Sequence, residues 1–178
     1  MLAALLLALV LQAPPAPGFR ITFDGGIFKS QTIALTAATV SYANNVWQSK
    51  KDARVDRIAL QSNTADGGLF LQLGAEPRLG VTAFDRTDED DPQRNPYRRF
   101  EVHAEDWPAA KGYRLDLVHA DITVTKLEAP GGRIEGTFQG RYELCTLPGD
   151  GGGNCTARAP LTIAGSFSVI RGKDRVVD

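Results

Sequence analysis

The chain has only two histidines, and both stand in one local pattern: Val102-His103-Ala104-Glu105 and Val118-His119-Ala120-Asp121. On extended backbone, residues two apart share a face, so each pattern sets an imidazole beside a carboxylate. If the two segments pair in antiparallel fashion across the Trp107 to Gly112 connection, His103, Glu105, His119 and Asp121 converge. Nitrogen and oxygen donors of that kind suit zinc or another borderline divalent metal. The competing reading is a wet sheet face with scattered charges, because the order of residues does not set the register between two strands.

A second set of donors lies in the run from Asp85 to Pro96, where Asp85, Asp88, Asp90 and Asp91 offer oxygen ligands for calcium. The run lacks the glycine and closing glutamate of an EF-hand loop, and dense acidic runs are ordinarily hydrated loops. Asp150 and Asn154 read as turn residues among Gly149, Gly151, Gly152 and Gly153. This glycine-rich tip carries the only two cysteines, Cys145 and Cys155. Their spacing excludes a C-x-x-C redox pair, and in an exported chain the expectation is a structural disulfide. Closing so short a loop stabilises a fold by roughly 3 kcal/mol in the chain-entropy model.

Other reaction chemistry has little support in the residues. There is no Gly-x-Ser-x-Gly elbow for a nucleophilic serine and no phosphate-cradling Gly-Lys-Ser/Thr. Carboxylate pairs for glycoside hydrolysis can be drawn from Glu101, Glu105, Asp116, Asp121, Glu135 and Glu143, but twenty-one acids would supply such pairs by chance. Trp47, Tyr97 and Trp107 would form a sugar-stacking surface if exposed, although large aromatics more often pack in a core.

The elements that must position these groups are strands. From Gly131 to Arg171, Ile134, Phe138, Tyr142 and Leu144 share one parity while Arg133, Glu135, Gln139, Arg141 and Glu143 take the other. Leu161, Ile163, Phe167 and Val169 repeat the pattern after the tip. Each is a half-buried strand with one wet face. Earlier runs from Phe19 to Leu35, Val55 to Leu73, Val81 to Phe84 and Arg98 to Glu128 alternate similarly between turn signals. Leu115 and Leu117 lie on one parity and Ile122 and Val124 on the other, which predicts a bulge near His119 to Asp121. No segment beyond the first residues keeps a 3.6-residue apolar period. The pattern predicts an all-β fold, an antiparallel β-sandwich of about eight or nine strands, with a lipocalin-like β-barrel as the alternative.

Residues 1–18 read as a signal peptide and proline-rich junction: an apolar block about ten residues long, too short to span a bilayer, followed by Ala13 and a Pro-rich break. No basic residue precedes the block. Residues 19–178 are then one domain, secreted or periplasmic, with no transmembrane anchor. Twenty basic and twenty-one acidic residues leave a net charge of -1, so no global field gathers nucleic acid.

Ile122-Thr123-Val124-Thr125-Lys126-Leu127-Glu128, Gly132 to Gly140 and Ile163-Ala164-Gly165-Ser166-Phe167-Ser168-Val169 resemble the closing strands of small exported bacterial β-sandwich domains of uncharacterised function. The resemblance covers under a third of the chain and rests on strand glycines and a Phe, which are architectural. It implies an envelope or secreted sandwich and carries no catalytic residue. The expected function is a non-catalytic module that binds an envelope component or carbohydrate through loops at one end, its partner a protein or a carbohydrate. Two alternatives stand beside it: a metal-binding protein or metal-dependent enzyme using the two His-x-Asp/Glu pairs, and a barrel carrying an apolar ligand.

Overall fold

The computed structural model describes residues 17–36, 45–49, 57–85, 99–104, 107–149 and 154–177. Within them the alternating runs form eleven strands: β1 Gly18–Gly25, β2 Gln31–Thr36, β3 Asn45–Ser49, β4 Arg57–Asn63, β5 Phe70–Ala75, β6 Gly80–Asp85, β7 Arg99–His103, β8 Tyr113–Leu127, β9 Arg133–Thr146, β10 Ala157–Ile170 and β11 Arg175–Val177. One 3-10 turn, Pro108–Ala110, separates β7 from β8. Two sheets result, of order β2-β1-β10-β9-β8-β6 and β11-β3-β4-β5-β7. All pairings are antiparallel except that of β11 with β3.

The expected sandwich is therefore present, with more strands than the eight or nine counted from alternation. The short β11, for example, is too brief to show a period. The expected signal segment before Pro17 and the acidic run after Asp85 lie outside the described residues. β1 and β2 form the opening hairpin, but β2 starts at Gln31 rather than Ile27. Gly25 and Gly26 take positive φ (115° and 53°), as do Lys29 and Ser30, and Ser30 Oγ donates to Asp24 Oδ1 at 2.7 Å, so five residues are spent in the turn.

Inward-facing residues of both sheets share one core. Ile58, Leu60, Leu71, Leu73, Phe100 and Val102 of the five-stranded sheet meet Phe23, Phe138, Tyr142, Ile163 and Phe167 of the six-stranded one. Trp107 closes one end, stacked on Phe28 at 5.7 Å and beside Phe23 at 5.6 Å. β7 bonds to β5, and β8 to β9 and β6, so among the described residues no bonded strand pair joins the two sheets.

The strand glycines explain how so many rings fit. Gly165 on β10 lies opposite Phe138 on β9, and Gly136 on β9 lies opposite Phe167 on β10. A methyl group added at Gly136 would strike the Thr123 carbonyl oxygen and the Phe167 ring; one at Gly165 would strike the Arg20 carbonyl oxygen and the Phe138 ring. Each ring thus lies over a bare backbone on the neighbouring strand. A methyl group at Gly140 of β9 would meet the rings of Tyr142, two residues along the same strand, and of Phe100 on the facing sheet. The bulge expected near His119 occurs between Leu117 and His119, and it flips the parity of β8 so that Ala120, Ile122 and Val124 point inward.

Gly136→Ala and Gly165→Ala are each expected to lower stability by about 1–3 kcal/mol in urea unfolding, because the obstructing atoms are backbone and ring. Gly149→Ala, with open space at its Cβ, should change little. Ser62 is fully buried on β4 and its hydroxyl has no partner among the described residues, so Ser62→Ala should be neutral or stabilising in the same assay.

Candidate functional site

The outer face of the six-stranded sheet collects the chemistry, because β8, β9 and β10 are long enough, at 15, 14 and 14 residues, to carry several polar rows. At one end, Arg114 Nε donates to Asp116 Oδ1 at 2.7 Å, and Arg158 Nη1 donates to Asp116 Oδ2 at 3.0 Å and to Glu143 Oε2 at 2.6 Å. The Arg114 hydrogen bond and charge, then the hydrogen bond and charge of Arg158, hold the Asp116 carboxyl below the usual range despite its partial burial. Cys145 and Cys155 form the expected disulfide here, with Cα atoms 5.3 Å apart. Asp116 and the two sulfurs cluster closely. The sulfurs are bonded to each other, so they offer no thiolate to a metal.

Next along the face, His119 stands between two carboxylates. Its Nδ1 lies 2.7 Å from Asp85 Oδ1 on β6, and its Nε2 lies 3.3 Å from Asp121 Oδ2. Both carboxylates need a donor, so the arrangement calls for a doubly protonated ring. The hydrogen bond that the ring donates to Asp85, with the one it donates to Asp121 and both negative charges, raises the His119 pKa against the opposing desolvation. The carboxylates sit at opposite ring nitrogens, so no single point receives one nitrogen and both acids, and Arg141 of β9 lies directly across from the ring. The geometry suits an imidazolium bridge better than a metal centre.

The other histidine is elsewhere. His103 lies on β7 in the five-stranded sheet, exposed, 3.5 Å from Glu101 Oε2 and against the Phe70 ring. β7 and β8 do not pair, so the convergence expected across the Trp107 to Gly112 connection does not occur: each histidine faces outward from a different sheet. The physical reason is that a chain crossing between layers places consecutive strands in different sheets, which local alternation does not reveal. Glu105 lies outside the described residues, as do Asp88, Asp90 and Asp91 of the calcium set. Asp85, the remaining member, is the partner of His119. Trp107 is 8% exposed and serves the core, not a stacking surface. Tyr97 and the Trp47 side chain are outside the described residues.

Sequence reasoning missed the third row. Val81, Thr123, Thr137, Ser166, Arg20 and Ala34 lie directly opposite one another across six strands, β6 to β2. Among the described residues, no side-chain hydrogen bond or ion pair engages Arg20, Thr123, Thr137 or Ser166. The next outward row is tied up: Ser168 accepts from Arg133 Nη1 at 2.6 Å and donates to Glu135 Oε1 at 3.2 Å. Between the two rows runs a groove of about 560 Å³ across the strands, lined by the polar Arg20, Glu135, Thr137 and Ser166 and also by apolar surface of Phe19 and Leu35. Small side chains on the hydroxyl row keep it open. The alternation of Thr and Ser was visible in the sequence, but their alignment needs the register.

Comparison with protein-family models, with curated proteins and with solved structures finds no match to this chain.

His119 should make stability depend on pH in a defined direction. A raised folded-state pKa means the imidazolium bridge is fully present below the unfolded value near 6.5 and is lost as pH rises through the folded value. His119→Gln is expected to lower the urea midpoint relative to wild type at pH 5.5 and to match it at pH 9. The difference should be under about 1 kcal/mol, since the ring is partly exposed. A constant difference at both pH values would refute the bridge.

Proposed function

We propose that the chain is a secreted or periplasmic, non-catalytic β-sandwich module that binds a carbohydrate or other hydroxyl-rich envelope component on the outer face of its six-stranded sheet. The observation that carries the reading is the row Thr123-Thr137-Ser166-Arg20, whose polar ends have no side-chain partner among the described residues and of which Thr137, Ser166 and Arg20 form one wall of the groove. Two hydroxyls in the groove, Thr137 and Ser166, that both donate and accept, followed by a guanidinium that only donates, complement a ligand bearing many hydroxyls in an extended array, and Thr123 continues the row beyond the groove. The opposite wall adds the Glu135 carboxylate as an acceptor. These groups stand on paired strands of a sheet, so little ordering is required on binding.

Export is supported by the apolar start of the chain and by the Cys145–Cys155 bond, which belongs in an oxidising compartment. No helix among the described residues is long and apolar enough to cross a membrane. The face is wet, and a hydrogen bond exchanged against water nets about 1 kcal/mol. Affinity for a single oligosaccharide should then be weak, on the order of 0.1–1 mM.

Titration of the full chain with cell-wall and exopolysaccharide oligosaccharides, followed by amide and side-chain chemical shifts, tests the site. Shifts are expected at Thr137, Ser166 and Arg20, and Arg20→Ala with Thr137→Val should weaken binding about tenfold without lowering thermal stability. Binding that maps elsewhere, or no binding by any polysaccharide, removes the proposal. Cell fractionation with intact mass should find the disulfide-bonded chain outside the cytoplasm, beginning between Pro14 and Phe19. A full-length chain in the cytosol would contradict export.

A further inference from the structure

The two sulfurs of the disulfide are not equivalent. Cys145 is fully buried on β9, whereas Cys155 is half-buried where the glycine-rich tip returns to β10. The register places Cys145 between Arg114 of β8 and Arg158 of β10 in one cross-sheet row. Arg114 is clamped by both oxygens of Asp116, at 2.7 and 3.3 Å, and in that pose its Nη2 lies 3.7 Å from Cys155 Sγ. A guanidinium held in this way is an N–H donor and a positive charge aimed at one sulfur. The Asp116 carboxylate is also near both sulfurs and opposes the effect. Asp116 is shared between Arg114 and Arg158, and Glu143 is bound by Arg158, so the four charges balance, and the N–H that Arg114 Nη2 directs at Cys155 Sγ is the contact that favours the thiolate.

We propose that Cys155 is the exchange-active sulfur of this disulfide and that Arg114 is the positioning residue that holds its thiolate. The bond is formed and opened through Cys155 by a protein of the dithiol–disulfide exchange class. In formation, the Cys155 thiolate attacks the partner's disulfide, one partner sulfur leaves with the electron pair and takes up a proton, and a mixed disulfide remains. Cys145, having given up its proton, then attacks Cys155 Sγ and displaces the second partner sulfur. The partner ends as a dithiol, reduced by two electrons, and this chain as the disulfide. Opening is the reverse: a partner thiolate attacks the accessible Cys155, and Cys145 departs with the electron pair and is protonated. The hairpin outlasts the opening, because Thr156 N and Thr156 Oγ1 both donate to the Thr146 carbonyl, at 2.9 and 3.1 Å. This inference is independent of the ligand on the sheet face.

The test is iodoacetamide alkylation of the full chain carrying Cys145→Ser, followed across pH by mass. Cys155 should react at neutral pH several-fold faster than the same thiol in denaturant, with a pH midpoint that moves up when Arg114→Gln is added. A rate equal to that in denaturant, or a midpoint indifferent to Arg114→Gln, overturns the proposal. Should Cys145→Ser fail to fold, the intact disulfide supplies the readout. At a fixed ratio of reduced to oxidised dithiothreitol, the reduced fraction is expected to fall several-fold in Arg114→Gln, and an unchanged fraction overturns the proposal equally.

Discussion

The sandwich depends on phenylalanine rings laid over glycines across β9 and β10. Residues directly opposite in an antiparallel pair share a face, so a large ring there ordinarily meets another side chain. Here Phe138 meets Gly165 and Phe167 meets Gly136, each strand supplying one ring and one bare backbone to the other. The rings can lie flat against the sheet, which leaves room for Phe100 of the facing sheet to reach Phe138 at 5.8 Å and Tyr142 at 6.0 Å. Glycine in a strand costs about 0.5–1 kcal/mol of backbone entropy. Burying an aromatic ring returns more than that, and pairing between rings adds to it.

The same alternation that fills the interior orders the exterior. Long strands repeat their outward positions several times, and the rows they make differ in how far their charges are settled. Arg114, Asp116, Glu143 and Arg158 neutralise one another beside the disulfide. His119 is held by two acids midway. Further along, the hydroxyls of Thr123, Thr137 and Ser166 and the Arg20 guanidinium stand without side-chain partners among the described residues, and Thr137, Ser166 and Arg20 do so beside a groove. A folded protein pairs most of its polar side chains, so the places where it does not are where a ligand has something to gain. The site is read from that contrast in hydrogen bonding rather than from any motif.

How much of this was legible beforehand can be judged residue by residue. Ile134, Phe138, Tyr142 and Leu144 were assigned inward from parity, and they are buried. The parity change between Leu117 and Ile122 announced a bulge, found one position before the expected stretch. The cysteine pair was read from spacing and its glycine-rich tip. His119 beside Asp121 followed from the two-residue repeat, yet its stronger partner, Asp85, lies 34 residues away and was assigned to a calcium loop. His103 was expected near His119 and stands on the other sheet. Thr123, Thr137, Ser166 and Arg20 carry no signal in the sequence, because each is an ordinary surface residue until four strands are aligned.

The amino-acid order by itself determined which face of each strand is apolar, where the turns fall and which two sulfurs can meet, since these follow from period-two burial and local chain geometry. Which strands neighbour one another, and therefore which outward side chains stand in one row, was decided only by the tertiary structure. Alternation is the same for every register two residues apart and for either sheet. It takes the packing of rings against glycines, summed over the whole core, to select one pairing from many that satisfy the pattern equally.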